Sequence, residues 1–343
     1  MSDAVDPAHE GLPAPRENIE VVGHGALTDA VERAWRSGRM GHAMLLVGPR
    51  GIGKATFAYA VAALVVSREA TIAEAQASVA RQQIANGAAQ GFRRLSVAVS
   101  KEGKLKREIG VDQVRALEPF LRQRLGASEW RVVLVDAVDD LNAASANALL
   151  KILEEPGERT LFLLIAHRQG AILPTIRSRC AVRRVDPLSQ AEVTSVLARS
   201  TVEPGRIEQA ARRGGGSVRR AIAFAQGNVL EAIDRIDRLF ERPEWSATDA
   251  QRVVDLAAGR GSEMVGDEVV AYLPDALRDY AAARGREGAT SSAARLAGTA
   301  QALEADLAAR DEYGVDRALS LRAALSTAHG ALQERVVKPG GTG

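Results

Sequence analysis

The stretch His42–Thr56, H-A-M-L-L-V-G-P-R-G-I-G-K-A-T, constrains the fold more than any other part of the 343-residue chain. An apolar run, Met44 to Val47, enters a glycine-rich turn from Gly48 to Gly53. Lys54 then opens an apolar segment of helical character, Phe57 to Val66. Strand, turn and helix in that order bring backbone N–H groups, a helix N-terminus and an ammonium to one point, an arrangement that cradles the phosphates of a nucleotide. Gly48, Gly51, Gly53 and Lys54 are the first candidate nucleotide-binding residues. One position departs from the pattern G-x-x-x-x-G-K-[ST]. Ala55 stands where a hydroxyl would hold Mg²⁺, and the nearest hydroxyl, Thr56, is one place late. The alternative is a glycine-rich strand-to-helix turn that binds nothing.

The sequence after the loop supplies the rest of an α/β layer. Arg131–Asp136, R-V-V-L-V-D, is a β-branched apolar run ending in an acid, as expected of a buried parallel strand with Asp136 at its C-terminal end. Ligands of parallel sheets sit at that edge, and an acid there usually holds the metal through water. Thr160–Ala166 is a second buried run and Ala181–Val185 a short last strand, closed by Pro187. Helices are expected at Ala26–Ser37, Ala143–Leu153 and, capped by Asp112, Gln113–Leu125. Leu95–Val99 reads as a strand, Lys101–Arg107 as a basic turn and Ile109–Val111 as a return strand. The basic turn is either a solvated hairpin or a contact for DNA phosphates or an acidic partner.

Strand signals stop after Leu188. Ser189 caps a helix, two more surround Gly214–Ser217, and from Val229 to Val337 nearly everything has helical periodicity, broken at 259–262 and 285–290. The expected layout is a disordered tail over 1–18, a P-loop α/β domain over 19–187, a small helical domain over 188–232, an all-α domain over 233–337 and a tail over 338–343. Net charge is +2, so charge alone does not make this a DNA-binding arm. Cys180 is the single cysteine, which excludes disulfide frameworks and cysteine-based zinc sites. Met1–Asn18 is acidic and proline-bearing rather than signal-like, and no apolar run reaches about 18 residues. A cytoplasmic protein is expected.

Four strings then carry a resemblance: G-P-R-G-I-G-K (Gly48–Lys54), N-A-L-L-K-I-L-E-E-P (Asn147–Pro156), L-P-T-I-R-S-R-C (Leu173–Cys180) and G-G-S-V-R-R-A (Gly215–Ala221). In this order and spacing they resemble the clamp-loader branch of AAA+ proteins, from about residue 20 to about 230. The resemblance implies an AAA+ P-loop domain, a helical lid and a helical collar that joins subunits. In that family the arginine of S-R-C is a finger that reaches the γ-phosphate of ATP held by a neighbouring subunit, and here the role falls on Arg179. Arg220 stands where the family has an arginine that contacts nucleotide in cis, with Arg219 as the adjacent alternative. Such a guanidinium neutralises charge on the transferred phosphoryl.

Three departures then decide which kind of subunit is expected. The metal hydroxyl is Ala55; Ala137 replaces the glutamate that polarises water in AAA+ ATPases; and Ala166-His167 takes the first sensor position. All three weaken hydrolysis in cis while Arg179 is intact. The expectation is a stator that gives an arginine, holds ATP or ADP with Mg²⁺ weak or absent, carries no zinc and has little ATPase or polymerase activity of its own. As a subunit of a nucleotidyltransferase holoenzyme it would join motor subunits (gamma/tau), a delta subunit, a sliding clamp (beta) and primed DNA in a hetero-oligomeric ring. His24 and His42 lack cysteine partners and read as structural, His42 shaping the adenine side of the cleft. The rival readings are an ATP-hydrolysing motor subunit, with Thr56 supplying the hydroxyl, and an unrelated P-loop enzyme such as a kinase.

Overall fold

The computed structural model describes residues 12–98, 108–123, 126, 129–167, 172–225, 227–259, 262–312 and 315–333. The basic turn at 101–107 and the tail at 338–343 lie outside the described residues. The chain divides into two compact units, Met1–Ile222 and Ala223–Gly343.

The first unit is built on a parallel sheet of five strands: β1 (Ala43–Val47), β2 (Phe92–Ser96), β3 (Arg131–Asp136), β4 (Thr160–Ala166) and β5 (Ala181–Arg184). Their order across the sheet is β2-β3-β4-β1-β5. Side chains alternate between the two faces, and both faces are covered. Met44, Leu46, Val132, Leu134, Leu161 and Leu163 enter one core with the helix that follows the phosphate loop, Lys54–Ser67. Ala43, Leu45, Val133, Val135, Phe162 and Leu164 enter the other. Burial on two sides is why the central strands read as unbroken apolar runs rather than alternating ones.

The helices follow the chain as α1 (Gly25–Arg36), α2 (Lys54–Ser67), α3 (Ile72–Gln76), α4 (Val79–Ala85), α5 (Val111–Arg115), α6 (Glu118–Arg122), α7 (Ala143–Glu154), α8 (Pro174–Arg177), α9 (Gln190–Leu197), α10 (Pro204–Arg213) and α11 (Val218–Ala225). Helix α2 is buried nearly throughout, from Phe57 to Val65, so it lacks a polar face. Thr71 starts α3 and Ser189 starts α9, each through a reciprocal capping box with a glutamate three residues on.

Four local expectations are corrected. Strand β2 lies three residues earlier than Leu95–Val99, because Phe92 pairs in register with Val132 and Ser96 with Asp136. Ile109 makes only an isolated bridge to Leu141, not a return strand. The expected helix Gln113–Leu125 is two short helices. Pro119 has no N–H to continue α5, but is tolerated in the first turn of α6. Asp112 lies inside α5; the N–H of Gly110 is capped instead by the Gln113 side chain at 3.1 Å. The described part of the expected tail is docked as well. Ala14 is buried, and the buried Arg81 guanidinium of α4 donates to the carbonyls of Arg16 and Asn18, the latter at 2.7 Å.

The second unit contains α12 (Gly227–Glu241), α13 (Ala247–Ala258), α14 (Glu263–Arg286), α15 (Thr290–Glu312) and α16 (Arg317–Gln333). Its core holds Ile233, Ile236, Val253, Leu273, Leu277, Leu321 and Leu325. Among the described residues no helix is long and apolar enough to cross a membrane.

Candidate nucleotide-binding cleft

The first unit carries a cleft of about 470 Å³ at the C-terminal edge of its sheet. The phosphate loop forms its floor. Gly53 is the N-cap of α2 with φ 94°, a conformation open to glycine at little cost. Gly51 also has positive φ, and a Cβ there would meet Ser217 Oγ at 2.4 Å and Arg219 Cβ at 2.5 Å. The bare backbone therefore lets the start of α11 lie directly on the loop, where the Val218 N–H donates to the Gly51 carbonyl at 2.9 Å.

Lys54 is buried, and its ammonium donates to the carbonyls of Gly48, at 2.7 Å, and Pro49. Burial pushes this ammonium down to about 8, against the opposing pull of Asp136 and Asp139. The loop thus holds a desolvated cation that an anion in the cleft would stabilise.

Asp136 ends β3 on the same face as Val132 and Leu134, which carries it toward the α2 side of the sheet. Arg94 of β2 meets it, Nη2 to Oδ2, at 3.4 Å, with both side chains largely buried. Asp139 accepts the His167 N–H at 2.7 Å, which ties the turn after β3 to the end of β4. Arg50 pairs with Asp140 at 3.9 Å. Residues 12–22 supply part of one wall through Leu12, Pro13, Pro15 and Val21.

Gly51, Gly53, Lys54, Thr56 and Asp136 are thus brought together, and Gly48 adjoins them through its carbonyl. Ala137 is buried where an acid would be needed. Of the two adjacent arginines, Arg219 lines the cleft, whereas Arg220 is not among its lining residues and its N–H caps onto Ser217 Oγ at 3.2 Å. Arg179 is also not among the lining residues; its guanidinium pairs with Glu154 at 2.6 Å and donates to the Thr175 carbonyl at 3.0 Å. His42 is exposed and does not line the cleft. Two histidines do line it: His167, and His24, whose Nε2 lies 2.9 Å from the Ile52 carbonyl. Sequence reasoning reads His24 as structural without placing it in the cleft, and misses Arg94. The only signal for Arg94 was a charged residue inside a strand, and its meaning depends on a carboxylate 42 residues away.

Over residues 23–189 the chain matches the family model described as DNA polymerase III, delta subunit. The DNA polymerase III subunit delta' of Pseudomonas aeruginosa is 39% identical over 148 residues, covering 43% of this chain and 43% of that one. The protein of the same name from Haemophilus influenzae is 46% identical over 76 residues, 22% of this chain and 23% of that one. The DNA polymerase III subunit gamma/tau of Mycobacterium bovis is 31% identical over 227 residues, 64% of this chain and 38% of that one. The chain thus spans less than half the length of each of these relatives. The DNA polymerase III relatives thus carry both the name delta' and the name gamma/tau.

Proposed function

We propose that the chain is a delta prime type subunit of a DNA polymerase III clamp loader, a stator that donates Arg179 in trans and helps place a sliding clamp on primed DNA. The observation that carries this reading is the composition of the cleft. It keeps a phosphate loop with a buried lysine, yet places Ala137 directly after Asp136, so that position offers no carboxylate to polarise water. Arg179, outside that cleft and about one-third exposed, is held by Glu154 in a pose that a neighbour's phosphate could compete for. Its partners would be gamma/tau motor subunits, a delta subunit, the beta clamp and primed DNA. The test is ATP hydrolysis by a reconstituted loader with Arg179→Ala in this chain. Assembly should be unchanged and clamp-stimulated turnover should fall steeply, since fingers of this kind contribute ~10³–10⁵ in rate. An unchanged rate refutes the finger role.

One finding favours a second reading. The gamma/tau alignment covers 64% of this chain, against 43% for the Pseudomonas delta' alignment. A motor subunit would hydrolyse ATP on its own, with Thr56 serving the metal. Turnover by the purified chain, abolished by Lys54→Ala, would support that reading over the stator.

A further inference from the structure

We infer that this cleft takes its nucleotide without a divalent cation, because the Arg94 guanidinium occupies the side of Asp136 that a metal's water shell would use. The inference rests on the nucleotide reading of the cleft and adds how the phosphates are held.

The fold family implies Mg²⁺, and the residues present do not fit it. Mg²⁺ needs six oxygens in near-ideal octahedral geometry and is typically held by one or two carboxylates, waters and phosphate. The loop contributes no hydroxyl at Ala55, and Thr56 is rotated about 100° further round α2. Among the described residues no group of three or more His, Cys, Asp or Glu side chains is placed to hold a metal. The one carboxylate at the expected position, Asp136, is paired with Arg94 at 3.4 Å.

That pair is built into the sheet. Arg94 and Ser96 lie two apart on β2 and share a face, and Ser96 is in register with Asp136 across the β2–β3 ladder. The Arg94 side chain therefore runs along the strand to the carboxylate. Both partners line the cleft and are only 16% and 17% exposed. A guanidinium stays charged at any working pH, so it is a permanent cation in the place of an exchangeable one. A metal seated on Asp136 would have to compete with Arg94 for that carboxylate, inside a cleft already lined by positive groups. Arg50, Lys54 and Arg219 line the same cleft, so side chains alone can meet the charge of a diphosphate or triphosphate.

The experiment is calorimetric titration of the full chain with ADP, once with MgCl₂ and once with EDTA. The wild-type Kd is expected to agree within about twofold between the two, whereas Arg94→Ala should weaken binding in EDTA by about tenfold or more, the loss expected for a charged hydrogen-bonding group. Arg94→Lys, which keeps the charge, should lose less. The double variant Ala55→Ser with Arg94→Ala should bind ADP more tightly in MgCl₂ than in EDTA. Wild-type binding that Mg²⁺ strengthens about tenfold overturns this inference and leaves the nucleotide reading standing. ADP binding in EDTA that is indifferent to Arg94→Ala also overturns it. No ADP binding in either buffer overturns the inference and the nucleotide reading together.

Discussion

The buried lysine gives the cleft a pH dependence that can be worked out in advance. Lys54 loses its proton at about pH 8 because burial strips its ammonium of water, and Asp136 and Asp139 only partly offset that loss. The ammonium is therefore present below that pH and lost above it. Phosphate oxygens bind the charged form and pull the lysine back toward its ordinary value of about 10.4, so binding takes up a proton. Between about pH 7.5 and about pH 9 the charged fraction of the free cleft falls from roughly three quarters to roughly one tenth. The Kd for ADP should then rise about eightfold, close to 1.2 kcal/mol. The ligand does not blur the reading, since the second ionisation of a phosphate group lies near 6. The assay is titration calorimetry in two buffers of different ionisation enthalpy, which reads affinity and proton uptake together. Lys54→Arg keeps the charge at every pH and should flatten the profile. A flat wild-type profile with no proton uptake, or the same slope in Lys54→Arg, would refute the argument that Lys54 faces the bound phosphates.

Two further outcomes follow from local geometry. Gly51→Ala should cost about 1–3 kcal/mol, through positive φ and the clash with Ser217 and Arg219, and a thermal unfolding scan would register it. Burial pushes the Cys180 thiol up to about 11, so its reaction with a disulfide reagent at about pH 8 should run about a hundredfold slower than that of a free thiol and recover fully in urea.

The parts of the fold that could be read from the sequence are those whose burial repeats residue by residue. Strands β1, β3 and β4 are continuous apolar runs because helices cover both faces of the sheet. The glycines and lysine of the loop announce themselves because few other residues survive its backbone and its burial. Strand β2 was misplaced because Arg93 and Arg94 look like surface. In the folded chain the Arg93 guanidinium stacks on the Phe120 ring, 4.8 Å from its centroid, while Arg94 turns to Asp136. Pro119 breaks the expected helix, since proline is at ease only in a helix's first turn. The roles of His24 and Arg94 depend on residues far along the chain, and no local pattern encodes such a pairing.

The attachment of residues 12–18 by Arg81 bears on the order in which the first unit can come into being. The two hydrogen bonds from its guanidinium close loops of 65 and 63 residues. The remaining walls come from β2, the turn after β3, the end of β4 and, finally, Val218 and Arg219 at the start of α11. A chain emerging from the ribosome therefore has its phosphate loop early and its complete cleft late, after more than 200 residues. Ligand binding stabilises only a state that can bind. A nucleotide can thus reward the finished unit but gives little help to its precursors, and the sheet and its two cores must carry the nascent domain to that point unaided.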